Sequence, residues 1–414
     1  MTGELKKLSL RETTLLIKRG ISPKYIEEGI LVLNQKCIRD QKTSFEPARR
    51  HDYKLRRVPE EKIIRKFDVL INSTGVGTLG RVAQVLDLSE PTTVDSHVTI
   101  VRPNPDVVIP GYFGFAVRER EALITTLGEG STGQTELSRD KIGNIVINIP
   151  SVSTQRAIAH ILGTLDDKIE LNRKMNETLE AIAQAIFKSW FVDFDPVKAK
   201  AEGRKPVGMP EEIAALFPDS FEDSELGRIP KGWRMVELGN IADVNWGDTS
   251  VTKKKYVPTG VIAFSASGAD GFLPYFDHDR TGVVVSAIGA NAGTTWLVFG
   301  KWSCIKNTLR FWSVERQIST EYLYFATLGK DRWPLRGSAQ SFISQEDARR
   351  LKILYPMNSI AQNFGQQISF LYSRVANTKK QIISISELRD TLLPKLISGE
   401  IRIKDAEKFV SEIP

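Results

Sequence analysis

STQRAIAHILGTLDDKIELNRKMNETLEAIAQAIFKSW, residues 153–190, is the stretch whose reading decides the fold. Its apolar positions Ile158, Leu162, Leu165, Ile169, Met175, Leu179, Ile182, Ile186 and Trp190 recur mostly at spacings of three and four. With one Gly and no Pro, that spacing predicts a long amphipathic helix from about Ser153 to Trp190. Adding 206 to its numbers finds a second copy: Ile158 maps to Phe364, Leu162 to Ile368, Leu165 to Leu371, Ile169 to Val375, Leu179 to Ile385, Ile182 to Leu388, Ile186 to Leu392 and Trp190 to Leu396. Pro150 maps to Pro356 and Ser138 to Ser344, so the shared register extends into the strand before the helix. A constant offset over two kinds of element means an internal duplication, which organises everything else in the chain.

The duplication reaches into the preceding modules at slipping offsets. Lys24, Tyr25 and Gly29 match Lys255, Tyr256 and Gly260 at 231; Gly75 matches Gly289 at 214; Tyr112, Phe115 and Ala116 match Tyr322, Phe325 and Ala326 at 210. Loops of unequal length on a common scaffold are where binding specificity resides. The chain therefore reads as a module (1–150), a helix (151–192), a connector (193–232), a second module (233–356), a second helix (357–398) and a C-terminal tail (399–414). The connector, rich in Pro, Gly and charge, predicts an extended segment with one short helix near Glu211 to Leu216. The fold class is α+β: two repeated α/β modules separated by two long helices.

At 414 residues the chain is too long for one ordinary core. A hydrophobic fraction of 41% and a charged fraction of 26% exclude extensive disorder. The net charge of +7 favours a polyanionic partner. Two cysteines, Cys37 and Cys304, sit at unmatched places in the repeats and point to buried thiols in a reducing compartment. No apolar run reaches membrane-spanning length, so the expected location is cytoplasmic.

The most basic stretch is ARRHDYKLRRVPEEK, with Arg49, Arg50, His51, Tyr53, Lys54, Arg56 and Arg57 crowded together. Cations interleaved with an aromatic suit phosphate contact with stacking, and equally suit a solvated loop. Lys24 and Tyr25 in the first module, and Lys253, Lys254, Lys255 and Tyr256 in the second, complete the set of candidate DNA-contacting residues. Small polar residues Ser131, Gln134 and Ser138, with Ser338, Gln340 and Ser344, either line the same surface or shape turns. On the helices, Asn172 and Thr378 occupy matching central places in an otherwise apolar seam, where a buried polar pair would fix register.

Catalytic signatures are absent: no Walker A loop, no H-E-x-x-H, no G-x-S-x-G. Gly75, Gly77 and Gly80 spell G-x-G-x-x-G after a strand, but GRVAQVLDL follows where a nucleotide loop needs a helix. These glycines read as a tight turn needing positive φ. His51, His97, His160 and His278 are scattered, and Asp193 and Asp195 are a weak pair for acid–base work.

The block TQRAIAHILGTLDDKIELNRKMNETLEAIAQAIFKSWFVDFDPVKAKAEGR, the following GMPEEIAALFPDSFEDSELGRIPKGW and the paired turns GTLGR and NAGTT together resemble the specificity subunit of bacterial type I restriction-modification systems. The resemblance implies a non-catalytic subunit in which two target-recognition domains each read half of a bipartite, asymmetric DNA site, held apart by two antiparallel conserved helices in pseudo-twofold relation. It implies two methyltransferase partner subunits, restriction-translocation partners, and no cofactor in this chain, with S-adenosylmethionine, ATP and Mg held by the partners. A 38-residue helix at about 1.5 Å per residue makes a rod of roughly 55 Å, enough to set two modules about one DNA turn apart. Two other classes stand beside this expectation: a helical adaptor that reads no DNA, and a nucleotide-dependent enzyme using the Gly75–Gly80 loop.

Overall fold

The computed structural model describes residues 5–130, 135–224, 227–337, 340–357 and 359–411. It resolves into two compact units, Met1–Arg173 with Lys380–Pro414, and Lys174–Lys379. Both predicted helices form, as Val152–Phe191 and Ile360–Ser398. The first starts where the Ser151 hydroxyl accepts from the Thr154 amide, and the second ends at Gly399, whose φ of +78° suits a residue without a Cβ. Because the units change over in the middle of both helices, each module shares a core with one half of each helix.

In the first unit, the strands Thr14–Arg19, Val98–Pro103, Val69–Asn72 and Val82–Gln84 form an antiparallel sheet in that order. Val69–Asn72 is buried throughout because it is covered on both faces. Val69 and Ile71 pack with Ile158, Leu162, Leu165 and Ile169 of the first helix and with Ile385, Leu392 and Leu396 of the second. Leu70 faces the other way, toward Leu33, Val94 and Ile100. A second sheet supplies that layer: Ile30–Leu33 pairs in parallel with Thr92–Val94 and antiparallel with Arg49–His51, which carries the short strand Tyr25–Ile26. A two-strand ribbon, Lys6–Ser9 with Val146–Ile149, leads into the first helix. Helix numbers run oppositely across the pair, Asp166 meeting Arg389 and Asn172 meeting Gln381, so the helices are antiparallel here.

The second unit repeats this topology. Ala242–Trp246, Thr308–Ser313, Gly282–Ser286 and Thr295–Val298 form the helix-facing sheet. Val261–Ser265 pairs in parallel with Lys301–Cys304 and antiparallel with Gly268–Leu273, as the three corresponding strands do in the first unit. The fourth strand, His278–Asp279, instead lies on Lys301–Cys304 at the opposite edge. Val283, Val285 and Phe311 face Phe364, Ile368 and Trp190, and Val284 faces Trp302 and Phe264. Pairing of Val32 with Arg49 in one unit corresponds to pairing of Ala263 with Gly271 in the other.

The structure corrects two expectations and adds one element. The connector is not extended: helices Asp195–Ala201 and Glu211–Leu216 and the hairpin Phe221–Ser224 with Gly227–Pro230 fold it down, because Val197, Phe217, Ile229 and Trp233 are buried beside Trp190 and Phe191. Its Pro and Gly mark tight turns between short elements. The C-terminal tail contains the helix Ile403–Ser411, whose Ala406 is buried in the first unit with Ile401, Ile403 and Val410 packed against the same core. Ile182, assigned to the helix seam, is 43% exposed; the adjacent Ala183 is the buried residue. The other seam positions lie inward: Phe364, Ile368, Val375, Ile385 and Leu392 are buried, and Leu179, Ile186, Leu371 and Leu388 are half-buried.

Candidate nucleic-acid interface

In the first module the basic stretch spans the strand Arg49–His51 and the turn after it. His51 is fully buried. Its Nδ1 lies 2.9 Å from the Lys24 amide and 3.2 Å from the Lys24 carbonyl, and its Nε2 lies 2.8 Å from the Arg56 carbonyl. One imidazole thus fastens both basic segments together. The Asp52 carboxylate accepts from the amides of Lys54 and Leu55 and tightens the turn. Lys24, Lys54, Arg56 and Arg57 are exposed on this frame, with the Arg56 guanidinium 3.4 Å from the Ser22 carbonyl.

The neighbouring arginines have opposite fates. Arg50 donates to both oxygens of Glu90 at 2.8 Å and to the Gly29 carbonyl, so its charge is neutralised within the module. Those hydrogen bonds hold the Glu90 carboxyl below its ordinary range. Arg49 instead lies over the Tyr25 ring, 3.5 Å from its centroid, and no carboxylate pairs with it among the described residues.

In the second module, Lys253–Lys255 form a single 3-10 turn. Lys254 and Lys255 are exposed without an ion pair among the described residues, but Lys253 is held by Asp270 at 2.5 Å. The Tyr256 hydroxyl donates to the same carboxylate at 2.9 Å, and its ring rests on Gly271, where a Cβ would come within 2.0 Å. Arg50 and Lys253 are therefore internal ties, which charge counting along the sequence did not distinguish from free cations.

Several residues with functional character were missed. Arg310 and Arg280 both lie over the Trp312 ring, 4.1 and 4.7 Å from its centroid, with the His278 ring 5.1 Å away. Arg310 also pairs with Asp243 at 2.9 Å. Burial, with Arg310 alongside, pushes the His278 imidazole below its usual value. Alternation in TLRFWS was the available signal: Leu309 and Phe311 face the helix-side core, while Arg310 and Trp312, half-buried, lie on the opposite face with Val284, where Trp312 packs beside Trp302.

The remaining candidates are structural. Ser138 and Ser344 cap the helices Arg139–Gly143 and Gln345–Arg349. Gln340 is exposed, while Ser131, Gln134 and Ser338 lie outside the described residues. Gly75, Gly77 and Gly80 all have positive φ in a hairpin turn between antiparallel strands, which removes the basis for a nucleotide loop. Asn172 and Thr378 are 5% and 2% exposed, so neither is a solvent-facing position. Asp193 pairs with Lys188, and Asp195 accepts from Ser189. Among the described residues no three His, Cys, Asp or Glu side chains gather as a metal-ligand set.

Each unit thus carries a module of one repeated topology with loops and an outer sheet of its own chemistry. The family described as the type I restriction modification DNA specificity domain matches residues 58–181. The type I restriction enzyme HindI specificity subunit of Haemophilus influenzae is 26% identical over 82% of this chain and 88% of its own. The MjaIX specificity subunit of Methanocaldococcus jannaschii is 25% identical over 83% and 82% respectively. A crystal structure of the S subunit of a type I restriction-modification system from M. genitalium shares the fold with a TM-score of 0.59, at 16% identity over 95% of this chain and 96% of that one. The chain is thus similar in sequence to specificity subunits of type I restriction-modification systems and shares the fold of one of them.

Proposed function

We propose that this chain is the DNA sequence-reading subunit of a type I restriction-modification complex, each module recognising one half of a bipartite, asymmetric site. The observation that carries this reading is the pairing of one repeated topology with two different outer surfaces: Arg49 stacked on Tyr25 in one module, Tyr256 seated on bare Gly271 in the other. A shared topology with dissimilar side chains at matching register supports dissimilar half-sites. Lys24, Lys54, Arg57, Lys254 and Lys255 set register on phosphates, whereas Arg50 and Lys253 shape the modules internally.

Catalysis and its cofactors belong, in this reading, to partners. Two methyltransferase subunits seat on the long helices and modify adenine with S-adenosylmethionine, and restriction-translocation subunits use ATP and Mg. No helix among the described residues is long and apolar enough to cross a membrane, and the complex works in the cytoplasm on this proposal.

The test maps methylated adenines in DNA exposed to the chain with its cognate methyltransferase. The expected motif has two dissimilar halves at fixed spacing. Methylation without a shared motif, together with equal affinity for random and selected duplexes, would instead make the protein a helical adaptor.

A further inference from the structure

The stacked Arg49 differs from every other cation of the basic stretch. Its guanidinium lies 3.5 Å from the centre of the Tyr25 ring, and Tyr25 is itself immobilised by the short strand Tyr25–Ile26, in which Tyr25 pairs with buried His51. A guanidinium carbon this close to the ring centre presents a face of the group to the ring and leaves its N–H edge free. Both partners are exposed, and the groove they line contains no carboxylate paired with Arg49 among the described residues, although Glu27 shares it.

A phosphate contact needs charge but no fixed plane, and Lys24, Lys54 and Arg57 supply charge on the same frame. A planar two-donor edge matches a particular acceptor pair, N7 and O6 of guanine in the major groove. We infer that Arg49, held by Tyr25, is a specificity-determining residue that reads a guanine in the half-site of the first module. This rests on the DNA-reading function proposed above and names the chemistry of one contact within it. The second module has no counterpart, because Gly271 stands at the matching register and the Tyr256 ring fills the space a side chain would need. The half-sites should therefore differ at this position.

The test uses the full chain and duplexes that the unaltered protein enriches from a randomised library. Each guanine is replaced in turn by 7-deazaguanine, which lacks the N7 acceptor. One replacement, in one half-site, should weaken binding roughly five- to 150-fold and weaken R49A no further. R49K keeps the charge without the planar fork, so it should lose the same preference while its salt dependence stays unchanged. Arg49 is exposed, and the melting temperature of both variants should match that of the unaltered chain. The inference is overturned if R49A weakens all sequences alike and lowers the salt slope by about one, the signature of a phosphate contact. It is also overturned if no 7-deazaguanine position distinguishes R49A from the unaltered chain. Enrichment of no motif at all by the unaltered protein would bring down the DNA-reading function, and this contact with it.

Discussion

Asp270 accepts hydrogen bonds from Lys253, Tyr256 and Ser265, and so ties the lysine-rich turn to the strand Gly268–Leu273. It sits at a register shift, the extra residue between Gly271 and Ala269 opposite Ala263 and Phe264, and such bulges re-aim a side chain. Burial pushes its carboxyl upward, but the three hydrogen bonds outweigh burial and leave it below the ordinary carboxylate value. A group depressed in the folded state contributes stability above its unfolded pKa, about 3.9, and loses that contribution as pH falls through the lower folded value. Thermal melts of the full chain and D270N should therefore differ by a constant amount above about pH 5 and converge below about pH 4. A difference independent of pH down to 2 would show that the charge on Asp270 is not what holds the turn. At this scale the sequence was partly legible. Lys253 and Arg50 were visible as cations, but their partners Asp270 and Glu90 lie 17 and 40 residues away, and only folding brings them together.

The long helices were legible because burial on one side imposes a period of three to four that no loop imitates. What periodicity could not show is how each half is cemented. In the first unit, Asp166 accepts from Arg118 and from Arg389 at 2.8 Å each, and both arginines are about nine-tenths buried. Asp390 also pairs with Arg389 at 2.7 Å and lies 3.8 Å from Arg118, but it is exposed, so removing the shared buried carboxylate leaves two desolvated cations with one solvent-screened partner. D166A should cost at most about 3 kcal/mol in a urea titration, because Asp390 still faces both arginines, whereas replacing Arg118, Asp166 and Arg389 together by apolar residues should cost less. Equal losses for both variants would mean that packing, not charge, dominates the site. Asn172 makes a contrasting case: it is buried, and its amide reaches Gln381 Oε1 only at 3.5 Å, the outer limit of a hydrogen bond. A buried polar group in an apolar seam costs stability in return for a unique register. N172L should raise the melting temperature and admit more than one half-site spacing in methylation mapping; an unchanged melt with a single spacing would remove the register role. Ile182 shows where the pattern misled. Small Ala183 is the residue turned inward beside the bulky Trp190, Phe191 and Phe364 cluster, and hydrophobicity alone ranks Ile182 above it.

For the molecule as a whole, the decisive feature is that both helices pass from one unit to the other in mid-course, at Arg173–Lys174 and at Lys379–Lys380. The duplication announced two modules, but a linear reading drew borders at the helix ends, because contacts between residues 200 apart leave no trace in local periodicity. The changeover points supply a sharper form of the spacing hypothesis. Lengthening one helix alone shifts its register against the other within a unit and exposes part of a core. Inserting four helix-forming residues at both changeover points preserves every contact inside each unit and lengthens only the connection, by roughly 6 Å. If the helices set the distance between half-sites, the doubly extended protein should methylate a motif with the same bases in each half and a spacer longer by about two base pairs, at roughly 3.4 Å per pair. Insertion at one point alone should lower the melting temperature without yielding a single new spacer. A double insertion that leaves the spacer unchanged would show that the partner subunits, not these helices, fix the distance, and one that changes the bases read would show that the modules do not recognise their half-sites independently.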